Sequence, residues 1–404
     1  MNHINKERLY IFILTFIHFI HLVDFVVIMP LGPSLMSILN ISSAKFASLV
    51  SIYNIAGAFT GLLVSIIADK YEKKVLLCLS LLGLGLGTLL CSLATTGDQL
   101  LWARFITGFC GGVITPVIFA MVTELVPKKT RGKAMGLVMS GFSLASIIGI
   151  PIGLLINDHF GYKFTFITIC ASILFVTFIS WIYLPQLKIP SATLKTKQLI
   201  SNLIKSFHNK EYQKIFIFTF IVSGTIFMLI PLLAPFAVKN MGVETIDLKY
   251  MYLIGGIITI ITARIFGVMT DRFGGQNIYI AIILLSIAPI YLYTSSGKIS
   301  FIYYIIIGST FMCLISGRMI PMMTLLSHVP SEQDRGQFMG IINSIRALAT
   351  GLGSMIAGLV VTESKQSGEL LNFNYLGLFV IFISLASIYF MLKLFKRDTI
   401  LTVT

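Results

Sequence analysis

Long apolar runs constrain this chain more than any other feature of its sequence. Hydrophobic residues make up 56% of the 404 positions and charged residues only 11%, against roughly a quarter charged in soluble domains, so water cannot be its main solvent. A membrane-spanning helix needs about 20 mostly apolar residues. Twelve segments meet that length: 9–36, 44–68, 75–95, 99–123, 134–156, 163–184, 213–237, 247–269, 277–295, 300–325, 337–362 and 373–395. Because these runs are too long for the alternating strands of a membrane barrel, we predict an all-α membrane protein with twelve transmembrane helices.

Two related loop sequences lie about half the chain apart. Residues 65–74 read SIIADKYEKK and residues 267–276 read GVMTDRFGGQ. Each places an aspartate, Asp69 or Asp271, directly after a long apolar run. Motifs that recur in the same order around a fixed spacing indicate an internal repeat. We therefore predict two pseudo-symmetric six-helix bundles.

A polar segment at 185–212 separates the two halves. It predicts an amino-terminal bundle at 1–184 and a carboxy-terminal bundle at 213–404, joined by this linker. Apolar residues between Leu199 and Phe207 recur at helical spacing with lysines between them. This pattern is typical of a basic amphipathic helix on a membrane surface, with a solvated tether as the alternative.

The net charge of +14 follows the predicted topology. Lysines and arginines collect before the first span, after the second, fourth and twelfth spans, and in the linker. By the positive-inside rule this places both termini in the cytoplasm. Because topology explains the basic charge, we predict no nucleic-acid partner. All five cysteines fall inside predicted spans without metal-ligand spacing, so we expect no metal site and no cofactor.

Three ionisable residues share one face of the first span. His18, His21 and Asp24 are three residues apart, and such groups inside a membrane normally face a cavity or a partner. Asp24 is our candidate for proton coupling; a helix-end acid that reaches solvent is the alternative. His21 is a candidate cavity residue, with a packing role as the alternative. Asn54, a polar residue in the second span, is a further candidate cavity residue or a helix-contact residue.

Three arginines lie at membrane depth. Arg104 lies several residues inside the fourth span, at a depth that matches Asp24, so the two could pair; snorkelling to the headgroups is the alternative. Arg318 and Arg346 lie in the tenth and eleventh spans. Since guanidinium keeps its charge, one deep acid leaves a surplus of positive charge. This favours an anion-accepting substrate cavity; pairing with carbonyls or unseen acids is the rival.

These motifs resemble the major facilitator superfamily of secondary transporters, specifically its drug and metabolite proton antiporters, over essentially the whole chain. The family's loop motif, Gly-x-x-x-Asp-Arg-x-Gly-Arg, is similar to residues 65–74 and 267–276, although the first copy has Ser65 and Glu72 in place of glycines. Arg104 followed by two glycines resembles the family's fourth-span motif, in which a buried arginine is tied to proton movement.

A second group of residues is carried over from the same resemblance. Gly149-x-Pro151-x-Gly153 is similar to the fifth-span packing motif of the family's exporters. In the family, the loop aspartate joins a basic residue and an acid in a cytoplasmic latch. The resemblance assigns that latch to Asp69, Lys73 and Glu124. It assigns further gating roles to Asp271 and Arg272.

These predictions together describe a proton-coupled exporter of a metabolite or drug that works by alternating access. We expect it in a bacterial inner (plasma) membrane, as a monomer whose partners are a small molecule, protons and the lipid bilayer. Two rivals remain. One is transport of an anionic solute, such as a carboxylate nutrient or a siderophore-like chelate; the other is a non-transporting sensor on the same fold. Cytoplasmic segments carry no metal cluster, nucleophile elbow or phosphate loop, so we predict that the protein is not an enzyme.

Overall fold

The computed structural model describes residues 3–67, 70–127, 129–187, 196–327, 329–330 and 335–395. Nearly all of them are helical. The helices are α1 (His3–Val27), α2 (Gly32–Ile38), α3 (Ser43–Ile67), α4 (Lys73–Leu93), α5 (Gly97–Leu125), α6 (Arg131–Met139), α7 (Gly141–Leu144), α8 (Ile150–Phe160), α9 (Tyr162–Tyr183), α10 (Thr196–His208), α11 (Lys210–Phe227), α12 (Leu233–Lys239), α13 (Leu248–Phe273), α14 (Gly275–Ser295), α15 (Phe301–Gly317), α16 (Met319–Ser327), α17 (Arg335–Val360) and α18 (Phe373–Leu394).

Eleven segments of the described chain are long and apolar enough to cross a membrane. Helix α17 is not among them, although it has 26 residues. It carries Asn343 and Arg346 in its interior, and such polar groups lower the mean hydropathy of a helix. The prediction of twelve spans therefore rests on how this one helix is placed.

The expectation of an all-α chain needs one correction. A short antiparallel hairpin, β1 (Thr362–Glu363) and β2 (Leu370–Leu371), connects α17 to α18. Ser43, which contacts Glu363 of the hairpin, begins α3, whereas Lys73 begins α4 shortly after α3 ends, so the hairpin and Lys73 lie at opposite ends of α3. The end that carries this hairpin is named the hairpin face, and the end that carries Lys73 is named the lysine face.

Four of the predicted spans are interrupted. The span 300–325 is divided between α15 and α16 at Arg318. The predicted span 9–36 is divided between α1 and α2, and the span 213–237 between α11 and α12. In both, prolines remove backbone donors at the break. The span 134–156 contains a single π-helical turn, Ala145–Gly149, which is followed by Ile150 and Pro151 at the start of α8. Such turns distort a helix locally, so this segment bends where the sequence places its proline.

The linker contains the predicted helix rather than a tether. Helix α10 packs on α11 and also contacts α3. Its Phe207 ring lies 5.4 Å from that of Phe216. The linker helix is thus in contact with both halves of the chain.

Small residues allow close contact between α3 and α17, which come from opposite halves. A Cβ atom added to Gly358 would lie 3.0 Å from the Cα of Ala44, and one added to Gly351 would lie 3.0 Å from the carbonyl oxygen of Ser51. A Cβ atom added to Gly61 would lie 3.4 Å from Ser344 Oγ. Close backbone approach is the main source of packing energy between helices in lipid. This seam holds the two halves together.

Candidate functional site

Asp24 and Arg104 form an ion pair with no solvent exposure. Arg104 Nη1 lies 3.5 Å from Asp24 Oδ2, and it also donates to the backbone oxygen of Asp24 at 3.2 Å. Thr88 Oγ1 donates to Asp24 Oδ1 at 2.8 Å. Both charged side chains are 0% exposed. The structure therefore brings the two residues together, and it favours neither the solvent-exposed acid nor the snorkelling arginine.

Tyr53 is the third member of this cluster, and sequence reasoning missed it. The Arg104 guanidinium lies 4.3 Å from the centre of the Tyr53 ring, within the range of a cation–π contact. The Tyr53 hydroxyl is 3.2 Å from His21 Nε2. A tyrosine in an apolar span carries no signal of its own. Only the packing of α3 against α1 and α5 reveals its position.

Glycines on α5 make this arrangement possible. A Cβ atom at Gly108 would lie 2.6 Å from Tyr53 Cα, and one at Gly111 would lie 2.7 Å from the Tyr53 hydroxyl and 3.0 Å from His21 Nε2. Any larger residue would force α3 and α5 apart. The glycines that follow Arg104 therefore let Tyr53 reach the guanidinium.

Several polar atoms of the cluster have no hydrogen-bond partner in the part of the chain that the structure describes. Among the described residues, no acceptor of standard geometry reaches Nε or Nη2 of Arg104, and Nδ1 of His21 is likewise unpaired. Buried polar groups are normally satisfied, and exceptions often mark functional positions. Within the described residues the guanidinium contacts the Asp24 carboxylate and carbonyl, the Tyr53 ring and the Cys91 thiol, and the carboxylate is its only charged partner, which makes its position sensitive to the charge of Asp24.

The other predicted cavity residues do not join this cluster. Arg318 is buried and donates to Ser384 Oγ at 3.3 Å. Arg346, partly buried, contacts Asn343 Oδ1 at 3.4 Å. Asn54 donates to the backbone of its own helix and lies beside α17. Neither arginine has an acidic partner within the described ranges.

Two of the three predicted latch residues meet at the lysine face. Lys73 Nζ lies 2.6 Å from Glu124 Oε1, and the lysine side chain is only 3% exposed. Asp69 lies outside the described residues. Glu72, which replaces a glycine of the family motif, caps α4 by accepting from the backbone of Lys74 at 3.0 Å and of Val75 at 2.8 Å.

The second loop copy is arranged differently. Asp271 and Arg272 are exposed, and the Arg272 guanidinium lies 5.3 Å from the Phe273 ring centre. Gly275 occupies the position that matches Lys73 in the repeat. An ion pair like that of the first copy therefore cannot form there, because the basic side chain is absent.

Gly149, Pro151 and Gly153 lie where the bent fifth segment packs on α1. A Cβ atom on Gly153 would lie 2.6 Å from Val27 Cγ2, and one on Gly149 would lie 3.3 Å from the Cβ of Val23. These glycines let α8 and the π-helical turn approach α1, as a packing motif requires.

A carboxylate on the hairpin, Glu363, joins the two halves at the hairpin face. It accepts from the backbone nitrogen of Ser43 at 2.5 Å and from Lys239 Nζ at 2.8 Å. Ser43 is the first residue of α3, where an acid is favoured by the helix dipole. Asp158 and Lys249 approach to 3.9 Å across the same face. Sequence reasoning missed both contacts because their partners come from distant segments.

Comparison with known proteins agrees with this architecture. The family model of the Major Facilitator Superfamily matches residues 14–354 and 215–401. Over 141 residues the chain is 31% identical to the uncharacterised MFS-type transporter YwfA of Bacillus subtilis, a match covering 35% of this chain and 34% of that relative. It is 26% identical to the multidrug resistance protein MdtG of Yersinia enterocolitica, over 82% of this chain and 79% of that one.

Structural similarity extends over nearly the whole chain. The crystal structure of the nucleoside transporter NupG superposes with a TM-score of 0.75 at 16% identity, covering 96% to 98% of this chain and 100% of NupG. At that identity the likeness concerns the fold. Together, the matched family model and the shared fold give the conclusion that this chain belongs to the Major Facilitator Superfamily, a family of membrane transporters.

Proposed function

We propose that this protein is a proton-coupled secondary transporter that exports a small molecule from a bacterial cell. In this proposal α17 also crosses the membrane and brings the number of spans to twelve. Both termini lie in the cytoplasm of a bacterium whose inner (plasma) membrane holds the protein as a monomer. The bundles at 1–184 and 213–404 rock about a central site, with the linker 185–212 on the cytoplasmic surface. Duplicated bundles of this kind supply alternating access in secondary transporters.

The observation that carries the proposal is the buried Asp24–Arg104 pair. A carboxylate whose burial and whose contact with a guanidinium change between two conformations can bind a proton on one side and release it on the other. Ionisable groups at such depth are costly and mark ion or substrate pathways. Asp24 is the proton-binding group in this proposal, and Arg104 is its electrostatic partner.

Contacts at the two faces supply the conformational switch. The Glu363 contacts hold the hairpin face closed in this structure, while the Lys73–Glu124 pair lies at the lysine face. A contact that forms in only one of two conformations biases their equilibrium by its own free energy. We propose that Asp69 completes the latch at the lysine face, and that Asp271 and Arg272 assist it from the other half.

Export is supported by two features. The relative MdtG is named a multidrug resistance protein, and the Gly149-Pro151-Gly153 element is similar to that of exporters. The test uses everted membrane vesicles with an imposed pH gradient and the lipophilic cation ethidium as probe. We expect ethidium to accumulate in vesicles with the parent protein and not with Asp24→Asn, which keeps the side-chain shape and removes the charge. Accumulation confined to right-side-out vesicles would overturn export, and absence of any movement would favour the non-transporting sensor.

A second candidate function is transport of an anionic solute. Arg346 supports it, because this guanidinium is partly buried at membrane depth and, within the described residues, its hydrogen-bond contacts are an amide oxygen and a methionine sulfur. A buried cation of this kind is stabilised by an anionic ligand. His21, Asn54 and Arg318 are further proposed contributors to the substrate cavity. Thermal-shift measurements with carboxylates and with lipophilic cations separate the candidates, since only the anionic site predicts stabilisation by carboxylates.

A further inference from the structure

The coupling pair is connected to the opposite half of the protein by a chain of aromatic contacts. The Arg104 guanidinium lies 4.3 Å from the centre of the Tyr53 ring. The Tyr53 ring stacks on Phe25 at 5.1 Å, and Phe25 stacks on Phe227 at 6.2 Å. Phe227 ends α11 and belongs to the other half of the chain. The contacts therefore run from a buried charge to the boundary between the halves.

Tyr53 is the central residue of this chain of contacts. It is the residue that touches Arg104, Phe25 and His21 at once, the last through its hydroxyl at 3.2 Å. Its backbone is fixed by close packing against Gly108, so α3 itself cannot slide easily along α5. The orientation of the ring, in contrast, depends on its contacts with Arg104, Phe25 and His21. Its position therefore depends on where the guanidinium lies.

Protonation of Asp24 removes the negative charge of the only carboxylate that Arg104 contacts within the described residues. Guanidinium keeps its charge, and a buried charge without its partner is strongly disfavoured. The arginine must then move toward water or another acceptor. As it leaves the Tyr53 ring, the ring loses one of its contacts, and Phe25 loses the surface that aligns it with Phe227.

The groups around Asp24 indicate that its charge is the one that controls the position of Arg104. The titratable and charged residues that surround Asp24 and its neighbour Tyr53 are the two histidines of α1, Cys91 of α4, Arg104 and Cys110 of α5, and Cys170 of α9. Asp24 is the one carboxylic acid in this set. A change in its charge is consequently felt first by Arg104.

We propose that Tyr53 and Phe25 are positioning residues that transmit the protonation of Asp24 to the closure of the hairpin face. This inference rests on the proposed proton coupling. With Asp24 ionised, the ring contacts are aligned and the hairpin face is closed. With Asp24 protonated, the contact between Phe25 and Phe227 weakens and the hairpin face opens more often.

The test measures opening of the hairpin face through a single introduced thiol. Ser43 is 1% exposed at the boundary between the halves, so Ser43→Cys reacts with a maleimide when that face opens. Ser367→Cys, on the exposed hairpin turn, reports the intrinsic effect of pH on the reagent. The ratio of the two labelling rates is measured for the full-length protein in nanodiscs at acidic and alkaline pH. The chain without an added cysteine supplies the background of its five native thiols, four of which are buried.

We expect the ratio to rise by about 5-fold or more at acidic pH, the lower range of coupling between two sites. Asp24→Asn should remove this pH dependence. Tyr53→Leu and Phe25→Leu should reduce it to less than about 2-fold, well below that coupling range. Tyr53→Phe keeps both ring contacts and should retain it.

A matched control separates transmission from general loosening of α1. Phe16 stacks on Phe12 at 6.5 Å and on Phe19 at 5.9 Å, in a second aromatic cluster on the same helix. Phe16→Leu should therefore leave the pH dependence intact, and melting temperatures verify that each variant is folded. If Tyr53→Leu does not fold, Phe25→Leu alone decides the question.

The two possible failures are distinct. A parent protein without pH dependence overturns the proposed proton coupling and this inference with it. A parent dependence that is lost in Asp24→Asn but survives in the folded leucine variants overturns the inference alone. Loss in Phe16→Leu to the same degree also overturns it, because the effect is then not specific to the ring contacts.

Discussion

Replacement of Gly108 by alanine tests whether the contact between α3 and α5 holds the ion-pair site together. The added Cβ atom would lie 2.6 Å from Cα and 2.8 Å from the carbonyl carbon of Tyr53. Carbon atoms pack at about 3.5 to 4.0 Å, so the helices must separate by about 1 Å. Both clashing groups are backbone atoms, and no side-chain rotation can relieve them. The Tyr53 ring would move with its helix, away from Arg104.

The expected cost follows from two opposing effects. Overpacking of this kind destabilises by about 1 to 3 kcal/mol, whereas alanine gains up to about 1 kcal/mol over glycine inside a helix. We therefore expect Gly108→Ala to be less stable by up to about 2 kcal/mol, the difference of these terms. We also expect it to lose most pH-driven transport, because a misplacement of about 1 Å is enough to impair a positioned site.

A matched control comes from Gly136, which is exposed within α6 and would have no atom within 4 Å of an added Cβ. Gly136→Ala should keep or raise the melting temperature and leave transport unchanged. The assay combines thermal unfolding in detergent with transport in everted vesicles. If Gly108→Ala unfolds no earlier than Gly136→Ala and transports normally, the tight contact at Tyr53 is not needed for function and the reasoning is refuted.

Three further perturbations test the two faces and the second half. Glu124→Gln should lower the free energy of unfolding by about 1 to 2 kcal/mol, between the values for surface and buried pairs. Thermal unfolding measures this loss, and the exchanged pair Lys73→Glu with Glu124→Lys should recover part of the lost stability. Glu363→Gln should weaken closure of the hairpin face and accelerate maleimide labelling of Ser43→Cys; unchanged labelling would contradict the bridging role of this carboxylate. Arg346→Gln should abolish the stabilisation by carboxylates in thermal-shift measurements and leave ethidium efflux intact; carboxylates that stabilise the parent protein and the variant equally would contradict this role of Arg346.

The long helices and several partners were predictable because their signals are local. Run length and composition indicate membrane helices without knowledge of their neighbours. Depth along a helix follows from counting residues, which is why Asp24 could be matched to Arg104 before any packing was known. The resemblance to family motifs predicted that Lys73 and Glu124 are partners, and the structure places them 2.6 Å apart. Asp69 was part of the same prediction and lies outside the described residues.

Other features could not be predicted because they depend on which helix faces meet. Arg318 and Arg346 have similar signals in the sequence, yet one contacts Ser384 and the other Asn343. Their grouping in a single substrate cavity remains a proposal. In the sequence, the hairpin carboxylate Glu363 has no feature that distinguishes it from other acidic residues of loops. Its contact with Ser43, 320 residues away along the chain, exists only in the folded protein.

By itself, the sequence determined the apolar solvent and the helices and predicted a duplicated plan, because hydrophobic length and repeated motifs are properties of contiguous segments. Only the tertiary structure decided that Tyr53 lies against the guanidinium of Arg104 and that Phe25 extends this contact to the other half. The physical reason is that an aromatic ring in an apolar helix is equally suited to lipid, to packing and to a cation. The role of such a ring is decided by the helix that packs against it. Here the glycines of α5 allow α5 to pack closely enough for Arg104 to reach the Tyr53 ring.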